Sequence, residues 1–132
     1  MKITETALEK KERLNKGSRE RNSRYWKTFN GKLMLTYNNM TRRVDGLSKP
    51  HLYRGLDICP RDVFYAWSKG NLSFNSLYRK WVESGYERKL SPSIDRINPK
   101  EGYTFENIRW ITHSENSRIG SASRWNNNKI IV

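Results

Sequence analysis

The sequence predicts an α+β fold, mostly helical, with a small antiparallel β-hairpin packed on a helix. Three observations predict it. Apolar residues recur at helical spacing in two stretches, Leu33, Met34, Tyr37, Met40, Val44 and then Phe74, Leu77, Tyr78, Trp81. Two short β-like runs, residues 94–97 and 108–111, flank a loop holding Pro99 and Gly102. Thr112 and Glu115 then form a capping box that opens a helix at His113.

The elements follow in order. Thr6 and Glu9 fit a capping box, so a helix can start there, weakened by Gly17-Ser18. Residues 1–31 read as a basic N-terminal arm, partly helical. Asn30-Gly31 is a turn signal. The helix from Leu33 stops at Asp45-Gly46, and residues 45–55 read as a loop. Leu56–Pro60 is a short extended piece, and Arg61–Trp67 starts a short helix. Ser73 is the expected cap of the helix carrying Phe74 and Trp81, which ends before Gly85. Asn98-Pro99 starts a turn, and Gly102 allows its reversal. Ile94, Ile97, Ile108, Trp110 and Ile111 should hold hairpin and helix together. The last helix is expected to end near Arg124. Residues 32–125 thus form the main domain, and 126–132 a tail.

Charge is the outlier of the composition. The chain of 132 residues carries 26 Lys+Arg against 13 Asp+Glu, a net +13. Such a chain seeks polyanions, nucleic acid first and an anionic membrane surface next. The membrane reading is weak, because no long apolar run is present. The single cysteine, Cys59, excludes a disulfide framework within the chain and a Cys-rich zinc ribbon, and reads as a small buried side chain. Met1-Lys2 is followed by polar residues rather than an apolar stretch, so an intracellular protein is expected.

The chemistry concentrates in Ser93–Asn116. Asp95, a hard carboxylate, sits beside Arg96 at the end of the first β-like run. Asn107 opens the second run. His113 and Asn116 lie three apart, on one helix face. If the hairpin folds back on that helix, Asp95 faces the carboxamide oxygen of Asn116 across a gap sized for one ion. Two protein ligands leave most of the shell to water and phosphate, as Mg²⁺ prefers. A cation held so, beside basic residues that clamp a backbone, suits phosphodiester cleavage.

The segment resembles the His-Asn-His (HNH) endonucleases, the ββα-metal nucleases. The likeness is strongest to the small phage-type branch, on Ser93–Asn98, Gly102-Tyr103, Glu106–Thr112 and Glu115-Asn116, with a weaker upstream likeness at Tyr53–Pro60, Phe64, Phe74 and Trp81. The resemblance implies a ββα-metal core at 93–124 inside an HNH-like nuclease domain. It implies Asp95 and Asn116 as ligands of one Mg²⁺ or Mn²⁺, and Asn107 as the middle asparagine that braces the loop or orients the base. Arg96 takes the place of the general-base histidine of many relatives. Guanidinium has a pKa above about 12 and is not an ordinary base, so phosphate binding or charge stabilisation suits it better. Water activation then falls to the metal, to His113, or to a residue such as His51 or Tyr53.

The expected function is a metal-dependent DNA endonuclease acting on double-stranded DNA, phage-encoded and working in the cytoplasm of a host cell. Arg109, Arg118 and Arg124, with Lys10, Lys11, Arg13, Arg19, Arg21 and Arg24 of the arm, are the candidates for backbone contact. One site cuts one strand, so double-strand cutting calls for a homodimer or two sequential nicks. The alternatives are a non-catalytic nucleic-acid-binding module and a small basic protein that binds an acidic partner protein.

Overall fold

The first helix is polar all round, and it is long. In the computed structural model, which describes residues 4–129 and side chains to residue 121, α1 spans Ala7–Trp26. Thr6 caps it, its hydroxyl accepting from Glu9 N–H at 3.1 Å. Gly17-Ser18 does not interrupt it, contrary to expectation, and it has no buried residue. Only its C-terminal end is tied down. Thr28 ends that helix region and begins the next: its hydroxyl donates to Tyr25 O and accepts from Gly31 N–H.

The turn expected at Asn30-Gly31 is absent, because both residues lie in the first turn of α2, Phe29–Val44. Gly31 has a different reason to be glycine. A Cβ there would stand 1.8 Å from Tyr25 O, so α1 and α2 meet too closely for any side chain. The expected boundary at residue 31 therefore cuts through a helix. Leu33, Tyr37 and Met40 of α2 are buried, and Asp45 caps its end.

The stretch read as a loop contains a one-turn helix, α3, Pro50–Tyr53, started by a proline at its first position. The extended piece after it pairs with the chain ahead of the second strand: Tyr103 N–H donates to Asp57 O and Cys59 N–H donates to Tyr103 O. Gly102 is glycine for this contact rather than for a turn, since a Cβ would lie 2.1 Å from Asp57 O. Cys59 is buried, as expected.

Two helices follow, α4 at Arg61–Lys69 and α5 at Leu72–Glu83. Asn71, not Ser73, caps α5, accepting from Phe74 N–H at 2.9 Å. Both residue types cap well, and the earlier one claims the end. A 3₁₀ turn, Arg88–Leu90, leads to β1, Pro92–Arg96. Its antiparallel partner is β2, Ile108–Thr112, in the register Ile94↔Trp110 and Asp95↔Arg109. The last helix, α6, spans His113–Lys129. It outruns the end expected at Arg124 and enters the stretch read as a tail; residues 130–132 lie outside the described residues.

The architecture is thus α+β and mostly helical, with one two-stranded antiparallel sheet among the described residues. Alternation along the strands gives the hairpin two faces. Ile94, Ile108 and Trp110 face a core of aromatic rings, with Trp110 4.4 Å from Phe74 and 6.0 Å from Phe64 between ring centroids. Trp110 Nε1–H donates to the buried Ser68 hydroxyl. Ile97 does not join the core as expected. It follows the last paired residue of β1 and is 59% exposed. Among the described residues, no helix is long and apolar enough to cross a membrane.

Candidate functional site

The second face of the hairpin carries Ser93 and Asp95 on β1 and Arg109 and Ile111 on β2. Helix α6 starts directly from β2, with Thr112 as its cap: the Thr112 hydroxyl accepts from Glu115 N–H. His113 N–H donates to Ser91 O, which anchors the first turn beside the start of β1. This docking brings Asn116 against β1. Its Nδ2 donates to Ser93 Oγ at 2.8 Å and to Ile94 O at 3.1 Å. Oδ1 is thereby the atom of the amide that β1 does not hold. Asp95, two residues beyond Ser93 on the same strand face, is 9% exposed. Sequence spacing anticipated that the start of α6 would fold back on the hairpin.

It did not anticipate the partner of Asp95. Arg109 lies directly opposite in the register, and its Nε donates to Asp95 Oδ2 at 2.9 Å. The guanidinium is half-exposed and the carboxylate mostly buried. The signal was present: once Ile94 pairs with Trp110, Asp95 and Arg109 must be neighbours. Asp95 Oδ1 stays outside that ion pair.

Asn107 is 3% exposed and closes the loop between the strands. Its Oδ1 accepts from Asn98 N–H, while its Nδ2 donates to Asn98 O and Gly102 O. One carboxamide therefore satisfies three backbone groups, two in a turn and one in the chain that returns from it.

Arg96 is held by the same loop. Its guanidinium donates to Pro99 O at 2.8 Å and Glu101 O at 3.0 Å. It also lies over the Tyr53 ring, 4.1 Å from the centroid, and 5.7 Å from that of Tyr103. The two rings stack nearly parallel, and Arg43 reaches both: its guanidinium lies over Tyr53 and donates to the Tyr103 hydroxyl. A group so engaged is no proton acceptor. Its remaining N–H groups can still meet an anion. Burial pushes the Tyr103 phenol pKa up, and Arg43 opposes that shift. The sequence offered Tyr53 as a candidate near this site but not its stacking under Arg96, nor Arg43, because the contact needs α2, α3 and the hairpin loop together.

The other candidates lie outside this gathering. His113 is half-buried at the first position of α6. His51 is exposed on α3. Arg118 is exposed and loosely paired with Glu115 at 3.8 Å. Lys10, Lys11, Arg13, Arg19, Arg21 and Arg24 are all exposed along α1, with Arg13 paired to Glu5. The side chain of Arg124 lies outside the described residues.

The donor set decides which cation the site suits. Among the described residues there is no cluster of three His, Cys, Asp or Glu groups. Asp95 Oδ1 and Asn116 Oδ1 offer one carboxylate and one amide oxygen. Two oxygens fit a hard ion that keeps water and substrate in most of its shell, and do not fit zinc in a closed structural site. Searches of protein-family models, curated proteins and solved structures find no match to this chain.

Proposed function

We propose that the chain is a metal-dependent DNA endonuclease of the HNH type, with a ββα-metal core formed by β1, β2 and the start of α6. The observation that carries this reading is the docking of Asn116 on the Ser93–Asp95 face of β1, on a chain of net charge +13. Asp95 and Asn116 would hold one Mg²⁺ or Mn²⁺. Such an ion, when bound, polarises a phosphoryl oxygen and lowers the pKa of a water.

The chain's own residues do the rest. Asn107 fixes the loop, so β1 ends in one geometry. Arg96, held by two loop carbonyls and two tyrosine rings, offers its free N–H groups to a phosphate oxygen, where negative charge develops. Arg109 neutralises one oxygen of Asp95 and presents its exposed edge to the DNA backbone. His113 stands one helical turn from Asn116 and would exchange a proton with a leaving oxygen or a water only where bound substrate brings one to it. The basic face of α1 supplies salt-dependent affinity for the duplex.

Supercoiled plasmid tests this reading. Relaxation in magnesium or manganese that stops in EDTA supports it; intact plasmid under all three conditions contradicts it. A second reading has its own observation. The Arg109–Asp95 ion pair is also what a purely structural hairpin would contain. A non-catalytic nucleic-acid-binding module would shift plasmid mobility in EDTA and magnesium alike, without nicking.

A further inference from the structure

A cleft of about 410 Å³ lies between α1, α2 and α5, away from Asp95 and Asn116. Arg19, Lys27 and Lys32 line it together with Trp26 and Trp81, and no acidic side chain does. Lys32 is the unusual member. Its ammonium lies 5.0 Å from the centroid of the Trp81 ring and donates to Ser91 Oγ at 2.7 Å. Among the described residues it has no carboxylate within ion-pair distance. Burial pulls its pKa below the usual lysine value. Trp81 is 6% exposed, and its indole N–H is buried with no acceptor. The Trp81 ring forms part of the cleft wall, and Lys32 stands over it as a partly buried cation without an acidic partner, which an anion entering the cleft would supply.

We propose that this cleft is a second nucleic-acid site, which takes a phosphodiester of a strand between Lys32, Arg19 and Lys27. The half-buried Trp26 ring gives the adjoining base or sugar an apolar surface. Three cations without an acid select a polyanion, and the apolar Trp26 and Trp81 rings beside them suit a strand whose bases and sugars flank its phosphates. Ser91 connects the cleft to the rest of the molecule: its hydroxyl accepts from Lys32, and its carbonyl accepts from His113 N–H at the start of α6. The site needs no divalent cation and no cleavage, so it stands apart from the roles of Asp95 and Asn116.

The test is a titration of the isotope-labelled full-length protein in EDTA with a short single-stranded oligodeoxynucleotide. Indole N–H resonances are followed, and that of Trp81 is the one lost in Trp81→Phe. The Trp81 resonance should move on binding. Lys32→Met should remove that movement and make the log–log salt dependence of affinity shallower by about 0.7. Lys69→Met, at the exposed end of α4, should leave the movement in place. A Trp81 resonance unmoved at saturation overturns the proposal, as does full movement in Lys32→Met. Equal movement with polyglutamate also overturns it, because the cleft would then be a site for acidic peptide. The wild-type titration with its polyglutamate arm decides the matter even where Lys32→Met fails to fold.

Discussion

At the scale of single residues, Asn107 carries the most structure per atom. Its carboxamide meets three backbone groups of the hairpin loop from a nearly closed site. Asn107→Ala removes all three contacts and leaves buried partners unmet. At about 1 kcal/mol for each net bond, and more for orphaned groups, urea unfolding should show a loss of roughly 3 kcal/mol. The sequence marked Asn107 by its place at a strand entry and by a family likeness. It marked Arg96 as well, but not that loop carbonyls and two tyrosine rings hold it, because those partners lie far apart in the chain. Tyr103 gives a pH prediction. Its phenol is buried, and its folded pKa lies above the ordinary 10.0, chiefly through desolvation. The neutral form therefore contributes fully below pH 10.0 and is lost as pH rises through the folded value. Alkaline unfolding should begin in that window, and Tyr103→Phe should make the loss of stability there less steep.

At the scale of elements, two glycines set how parts meet. Gly102 lets the chain pass against Asp57, and Gly31 lets α2 start against the end of α1. Gly102→Ala should cost about 3 kcal/mol by thermal or urea unfolding, since the obstructing atoms are backbone and cannot rotate away. Gly31→Ala should loosen α1 from the core, seen as faster amide exchange across Tyr25–Gly31 with slower change in β1 and β2. Both glycines were visible in the sequence, yet their role was not. A turn signal is local, whereas a close approach depends on what the fold brings near. The helices of the core and the hairpin were legible because their periods of 3.6 and 2 are written in apolar residues. The start of α5 is ambiguous in the sequence because Asn71 and Ser73 are both good caps, and the full length of α1 is hidden because Gly17-Ser18 reads as a weak point in a helix with no apolar stripe.

At the scale of the whole molecule, the proposed function assigns encounter to the charge and chemistry to the hairpin. A net charge of +13 should make DNA affinity fall steeply with salt. The slope on a log–log plot should be roughly −0.9 for each phosphate contacted on a duplex, and Arg19→Gln with Arg24→Gln should make it shallower. The candidate site was legible as a spacing: an acid ending one strand, an amide in the first turn of the helix after the next. Its ion pair with Arg109 was not, since register has to be known before cross-strand partners can be named. The central claim is that Asp95 and Asn116 share one cation, and parallel nicking assays of Asp95→Ala, Asn116→Ala and the double variant in magnesium test it most directly. With circular dichroism unchanged, each single variant should fall to the wild-type level in EDTA, and the double variant should fall no further, because groups acting as a unit are not additive. Wild-type rates in both single variants would contradict the claim.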